Sequence, residues 1–131
     1  MIGLDTNVLV RYLTRDDEQQ WQQAATVIQN AEQCFICNIV LCEIVWVLRG
    51  KPYQFSKSEI LSTLETMLQI SKFVFEDRSI VYQAIQRTKQ GRADFADYLI
   101  GTIAQQQNCK EVVTFDQKLN RENGFRDLSQ S

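Results

Sequence analysis

Met1-Ile2-Gly3-Leu4-Asp5-Thr6-Asn7-Val8-Leu9-Val10 opens the chain with a short apolar run, one acid, two small polar residues and then a second apolar stretch. That order is expected where a buried strand hands over to a helix, with the Asp5 carboxylate at the junction. In open α/β sheets, ligands gather outside the carboxyl ends of the strands. Three further acids stand in apolar runs. Glu43 lies within Ile39-Val40-Leu41-Cys42-Glu43-Ile44-Val45-Trp46-Val47-Leu48, Asp97 within Ala93-Asp94-Phe95-Ala96-Asp97-Tyr98-Leu99-Ile100, and Asp116 ends Val112-Val113-Thr114-Phe115-Asp116. Unpaired carboxylates are costly to remove from water, and several together repel one another unless they are protonated or share a cation. A hard ion, Mg²⁺ or Mn²⁺, takes oxygen ligands and commonly bridges carboxylates to phosphate, so it is the expected partner.

The chain contains no histidine. A Ser-His-Asp triad, a histidine acid/base pair and a histidine-ligated zinc site are therefore excluded, while metal-activated water remains available. Cys34, Cys37, Cys42 and Cys109 include one Cys34-Phe35-Ile36-Cys37 pair but no second pair to complete a zinc site, so they are expected as small reduced core residues of a cytoplasmic protein. Met1-Ile2-Gly3-Leu4-Asp5 has no basic leader region, and no segment approaches the roughly 20 apolar residues of a membrane span. A net charge of −2 argues against holding nucleic acid through a broad positive field, so any RNA contact must be local.

Strand and helix signals alternate along 131 residues with no low-complexity linker, which predicts one domain over 1–131. Strands are predicted at 1–5, 34–36, 73–75 and 111–114, the last of these being the final clear strand. Helices are predicted at about 6–13, 17–31, 39–49, 56–71, 79–90 and 94–107. Ser56-Lys57-Ser58-Glu59 has the spacing of a capping box, and Gly50-Lys51-Pro52 ends the preceding helix. This alternation implies an α/β fold with a mostly parallel central sheet and helices on both faces, because parallel strands require crossover connections.

Taken together, Leu4-Asp5-Thr6-Asn7-Val8-Leu9, Glu43-Ile44, Ala93-Asp94-Phe95-Ala96-Asp97-Tyr98-Leu99-Ile100 and Thr114-Phe115-Asp116 resemble the PIN-domain family, especially its VapC-type toxins of bacterial toxin–antitoxin pairs. The resemblance spans nearly the whole chain. It implies an α/β/α sandwich and a Mg²⁺- or Mn²⁺-dependent endoribonuclease that hydrolyses RNA phosphodiesters, is usually homodimeric and is inhibited by a small DNA-binding antitoxin. Asp5, Glu43 and Asp97 match the three regular acids of the family, and Asp116 matches a more variable fourth. Asp94 is an additional acid, Thr6 and Asn7 match the polar pair after the first acid, and Thr114 matches the hydroxyl residue before the last. The same residues leave open a PIN-like nuclease acting in RNA processing or on DNA, and a non-catalytic binding domain.

Several residues admit two roles. Asp94 is expected either to cap its helix or to support a metal; Thr6 and Asn7 either cap the first helix or hydrogen-bond a site carboxylate. Thr114 is expected to orient a ligand. Arg11, Arg15, Arg49 and Lys118 follow the acid-bearing elements and are candidate phosphate contacts, although solubility explains each equally well. Asp16, Asp17, Glu18, Glu59, Glu65, Glu76, Asp77 and Glu122 read as solvated helix faces. Tyr12, Trp21, Trp46, Tyr53 and Tyr98 are expected in the core or an interface more than as base-stacking residues.

Overall fold

A computed structural model describes residues 1–130. It is built of six helices and short, exclusively parallel strands, in two compact units: Met1–Arg78, and the residues from Ser79 onward.

The first unit carries a three-stranded sheet in the order β1 (Ile2–Gly3), β2 (Cys34–Ile36), β3 (Phe73–Phe75). Ile2 is in register with Cys34, and Cys34 with Phe73. Each crossover is a pair of helices: α1 (Thr6–Thr14) and α2 (Glu18–Asn30) between the first two strands, α3 (Asn38–Arg49) and α4 (Lys57–Gln69) between the next two. Such long connections are what parallel pairing demands. The central strand buries Cys34 and Ile36 completely, and Leu9, Leu41, Ile44, Leu48, Leu64 and Met67 project from α1, α3 and α4 with no more than 1% exposure. Each such side chain contributes about 1.5–3 kcal/mol of burial energy.

Local chemistry sets the helix limits. Asp17 caps α2 by accepting the Gln20 N–H at 3.0 Å. Ser56 and Glu59 form the anticipated capping box on α4, at 3.1 and 2.9 Å. Arg15 ends α1 in the left-handed conformation, φ 53°, returning its N–H to the Arg11 carbonyl.

The second unit contains α5 (Arg78–Gln90), α6 (Phe95–Gln106), β4 (Val112–Thr114) and β5 (Phe125–Asp127). Short 3₁₀ turns follow each of these strands, at Gln117–Leu119 and Leu128–Gln130. β4 and β5 are parallel, with Val112 opposite Phe125 and Thr114 opposite Asp127. β5 corrects the expectation that 111–114 is the last strand. Its alternation is weak, Phe-Arg-Asp, and its pairing depends on a partner thirteen residues away.

The parallel pairing expected of the α/β fold is what the described residues show, in a three-stranded and a two-stranded ladder. One further expectation is corrected. The opening strand covers only Ile2–Gly3, half-buried and exposed respectively, with Leu4 as the buried residue of the run. β1 stands at the end of the three-stranded sheet with one neighbour, which leaves Gly3 in solvent.

Candidate active site

Parallel strands present their carboxyl ends on the same edge, and β1 delivers Asp5 there. Asp5 occupies the N-cap position of α1 with extended backbone (φ −78°, ψ 158°), yet its side chain accepts no capping hydrogen bond. Asp17 and Ser56, in the same position on α2 and α4, both cap. Asp5 is also exposed, so its carboxylate is hydrated and uncommitted among the described residues. At the end of β2, Asn38 begins α3 and donates its N–H to Glu76 Oε2 at 2.6 Å, with Glu76 following β3. Glu76 thus accepts the first N–H of α3 while staying exposed, as its sequence context suggested.

Glu43 lies in the middle of α3, and Thr6 Oγ1 donates to its Oε1 at 2.6 Å. Of the two roles open to Thr6, this is the carboxylate-orienting one; Thr6 itself is buried. Asn7 lies on the exposed side of α1. Glu43 is exposed despite apolar neighbours in sequence. The buried positions of α3 are Val40, Leu41, Ile44, Val45 and Leu48, and helical periodicity turns Glu43 away from them. Thus the acids do not sit in an apolar interior: Asp5 and Glu43 are exposed, and Asp94, Asp97 and Asp116 are half-buried.

In the second unit, Asp94 is the N-cap of α6 and pairs with Asp97 in a capping box, where the Asp94 N–H donates to Asp97 Oδ2 at 3.1 Å. Asp94 therefore stands in the helix-cap position. Asp97 is held above the usual carboxylate range, first by burial and further by the negative charges of Asp94 and Asp116; the Asp94 N–H and the Lys118 ammonium act in the opposite direction. Asp116 begins the turn after β4. Its N–H donates to Thr114 Oγ1 at 3.0 Å, and its Oδ1 accepts the Lys118 N–H at 2.9 Å. Thr114 therefore orients Asp116. Tyr98, buried one residue after Asp97, donates to Glu122 Oε1 at 2.9 Å and accepts from the Ala93 N–H at 3.3 Å, which fixes the chain leading into α6. Neither Glu122 nor Glu76 was legible as a partner, because both roles arise from tertiary contacts.

A model of the PIN domain matches residues 2–123. The chain belongs to the PIN domain family. This PIN domain is also similar to a VapC ribonuclease from Aquifex aeolicus (strain VF5): 27% identical over 129 residues, covering 96% of this chain and 94% of the relative.

The PIN domain's acids offer a hard cation oxygen donors only, and a carboxylate whose charge is disfavoured by burial and like charge, as at Asp97, is one that a cation would relieve. The residues therefore fit a divalent ion in donor chemistry. Among the described residues, no three histidine, cysteine, aspartate or glutamate side chains are gathered closely enough to hold a metal.

Arg11 and Arg15, both candidate phosphate contacts, are engaged by neighbouring side chains. Arg11 binds Asp16, Gln20 and Tyr53 at 3.1, 2.6 and 2.9 Å. Arg15 pairs with Glu18 at 2.9 Å and lies 3.6 Å above the Trp21 ring. Arg49 and Lys118 are exposed. All four cysteines are free, but only Cys34 is buried; Cys37 and Cys42 are half-buried and Cys109 is exposed, next to the left-handed Asn108 that closes α6. Among the described residues no helix is long and apolar enough to cross a membrane.

Proposed function

We propose that this PIN domain is a Mg²⁺- or Mn²⁺-dependent endoribonuclease acting as the toxin of a toxin–antitoxin pair. The observation that carries this reading is Asp5. It is an acid in a helix N-cap position that caps nothing, set at the carboxyl edge of a parallel sheet, in a chain similar over 96% of its length to a VapC ribonuclease.

Under this reading Asp5 and Asp97 are the principal ligands of the ion, and Glu43 and Asp116 bind through water, orient the nucleophile or hold a second ion. A bound divalent ion supplies an acidified water and neutralises charge developing on the phosphoryl oxygens. The protein's own part is positioning. Thr6 holds the Glu43 carboxylate in one orientation, Thr114 fixes the backbone of Asp116, and the capping box with Asp94 leaves Asp97 Oδ1 outside its hydrogen bond. Lys118 places a cation near Asp97, where it would meet a substrate phosphate, and Arg49 is a second candidate. The same reading brings RNA as substrate, a DNA-binding antitoxin as inhibitor, a homodimer and a cytoplasmic location.

The test is purified protein, free of any co-purified partner, incubated with total bacterial RNA in Mn²⁺, Mg²⁺ or EDTA beside the Asp97→Asn variant. Discrete fragments requiring both metal and Asp97 are expected. RNA left intact under every metal would overturn the reading, and cleavage of DNA alone would replace its substrate.

A further inference from the structure

α3 turns one narrow stripe to solvent. Ile39, Glu43, Trp46 and Arg49 recur every three or four residues and so share one side of the helix. Ile39 is 70% and Trp46 75% exposed. The other tryptophan, Trp21, is half-buried, donates its indole N–H to the Tyr12 carbonyl at 3.2 Å and is covered by the Arg15 guanidinium. Among the described residues Trp46 has no such ring or cation contact, so most of the residue stands in water one turn from Glu43. The Glu43 carboxylate is meanwhile oriented by Thr6. Arg49 ends the stripe and Lys51 lies in the turn just after α3; both are exposed.

We propose that Trp46 is a stacking platform for an unpaired base of single-stranded RNA, placed beside the phosphate that Glu43 helps to hydrolyse. This rests on the nuclease reading of Glu43 above. Residues three apart on a helix are about 5–6 Å from each other at Cβ, so a base on the indole and its phosphate near Glu43 are within one nucleotide's reach. Arg49 and Lys51 supply the charge that the next phosphates require, locally, as a chain of net charge −2 must do. A protein surface laid over both Ile39 and Trp46 would strip water from the Glu43 carboxylate between them, which is unfavourable without an incoming cation. A nucleotide covers the ring and leaves Glu43 hydrated. Stacking on one aromatic face tolerates any base; selectivity is then for strandedness, because a base must be unstacked to reach the ring.

The test uses the full chain carrying Trp21→Phe, so that Trp46 is the only indole, in EDTA to prevent cleavage. A short unstructured oligoribonucleotide should quench Trp46 emission saturably, and its duplex form should not. Against a fluorescently labelled copy of the oligonucleotide, Trp46→Leu should weaken binding about tenfold or more, with Trp46→Phe close to wild type. Saturable binding without quenching, equal binding by the leucine variant, or no RNA binding by either protein would overturn the proposal. A change in sedimentation mass on Trp46→Leu would overturn it in favour of a second copy on this face. Quenching without any cleavage once Mn²⁺ is added would sink the nuclease reading and leave the platform; cleavage that ignores Trp46→Leu would do the reverse.

Discussion

Thr6 Oγ1 donates a 2.6 Å hydrogen bond to Glu43 Oε1, joining the first residue of α1 to the middle of α3. A buried hydroxyl thereby fixes an exposed carboxylate, at the cost of ordering one glutamate side chain. Removing the hydroxyl with Thr6→Val should lower kcat by roughly 10–100-fold, the usual consequence of losing a group that orients a ligand. Stability should fall by only about 1 kcal/mol, since Glu43 stays hydrated. Thr6→Ser should restore most of the rate. A rate unchanged in Thr6→Val would show that the orientation of Glu43 is irrelevant to hydrolysis.

Asp97 should respond to pH in a direction that separates its function from stability. Its pKa is raised in the folded chain by burial and by Asp94 and Asp116. A raised acid binds its proton more tightly folded than unfolded, so its contribution to stability is fully present at low pH and is lost as pH rises through the folded value. At neutral pH the ionised carboxylate is therefore destabilising, and Asp97→Asn should be inactive yet slightly more stable, by no more than about 1 kcal/mol given solvent screening. The difference between the two proteins should vanish below the ordinary carboxylate range. Urea unfolding at several pH values measures it. Titration by NMR should show the Asp97 carboxyl rising further in Lys118→Gln and falling in Asp116→Asn.

The sequence carried most of the framework because its signals were local. Ser56 and Glu59 meet as a capping box because the spacing alone brings them together, and 34–36 and 73–75 are strands of three apolar residues between helices. What escaped depended on contacts distant in the chain. β5 exists by pairing Phe125 with Val112, and Glu76 and Glu122 acquire partners 38 and 24 residues away. Glu43 was misplaced for another reason. Apolar residues on both sides of it suggested burial, but α3 is apolar nearly all round, and the phase of the helix, set by Val40, Leu41, Ile44, Val45 and Leu48, decides which residues face water. The acids were identifiable by type and order, whereas their exposure was not.

Gly91 is a position where only glycine fits. A Cβ there would overlap the Tyr98 hydroxyl and reach within 2.9 Å of Glu122 Oε1. Gly91→Ala must therefore displace the Tyr98 ring, which is fully buried, and break its bonds to Glu122 and the Ala93 N–H. Such overpacking costs about 1–3 kcal/mol, and activity should fall with it, because the displaced chain leads into Asp94 and Asp97. Tyr98→Phe loses the hydrogen bonds without the clash and should destabilise less, by about 1–2 kcal/mol. Thermal unfolding of the two variants side by side tests the ranking. Equal loss in both would mean that the hydroxyl bonds, and not the close approach, make Gly91 necessary.

Thr114 acts on Asp116 through the backbone, since its Oγ1 accepts the Asp116 N–H at 3.0 Å while Asp116 Oδ1 takes the Lys118 N–H at 2.9 Å. These two bonds define the turn that presents the last acid. Thr114→Val keeps the shape and β propensity of the residue and removes only the acceptor, leaving a half-buried N–H to find water. The strand should persist, with a stability loss of about 1 kcal/mol, while the turn loosens and Asp116 departs from its fixed position. The expected signature is a raised requirement for Mn²⁺ in RNA cleavage with the rate at saturating metal reduced less, because a poorly placed ligand weakens ion binding before it impairs the chemistry. Thr114→Ser should behave as wild type. A Mn²⁺ dependence identical in Thr114→Val and wild type would mean that Asp116 takes no part in holding the ion, leaving Asp5, Glu43 and Asp97 to do so.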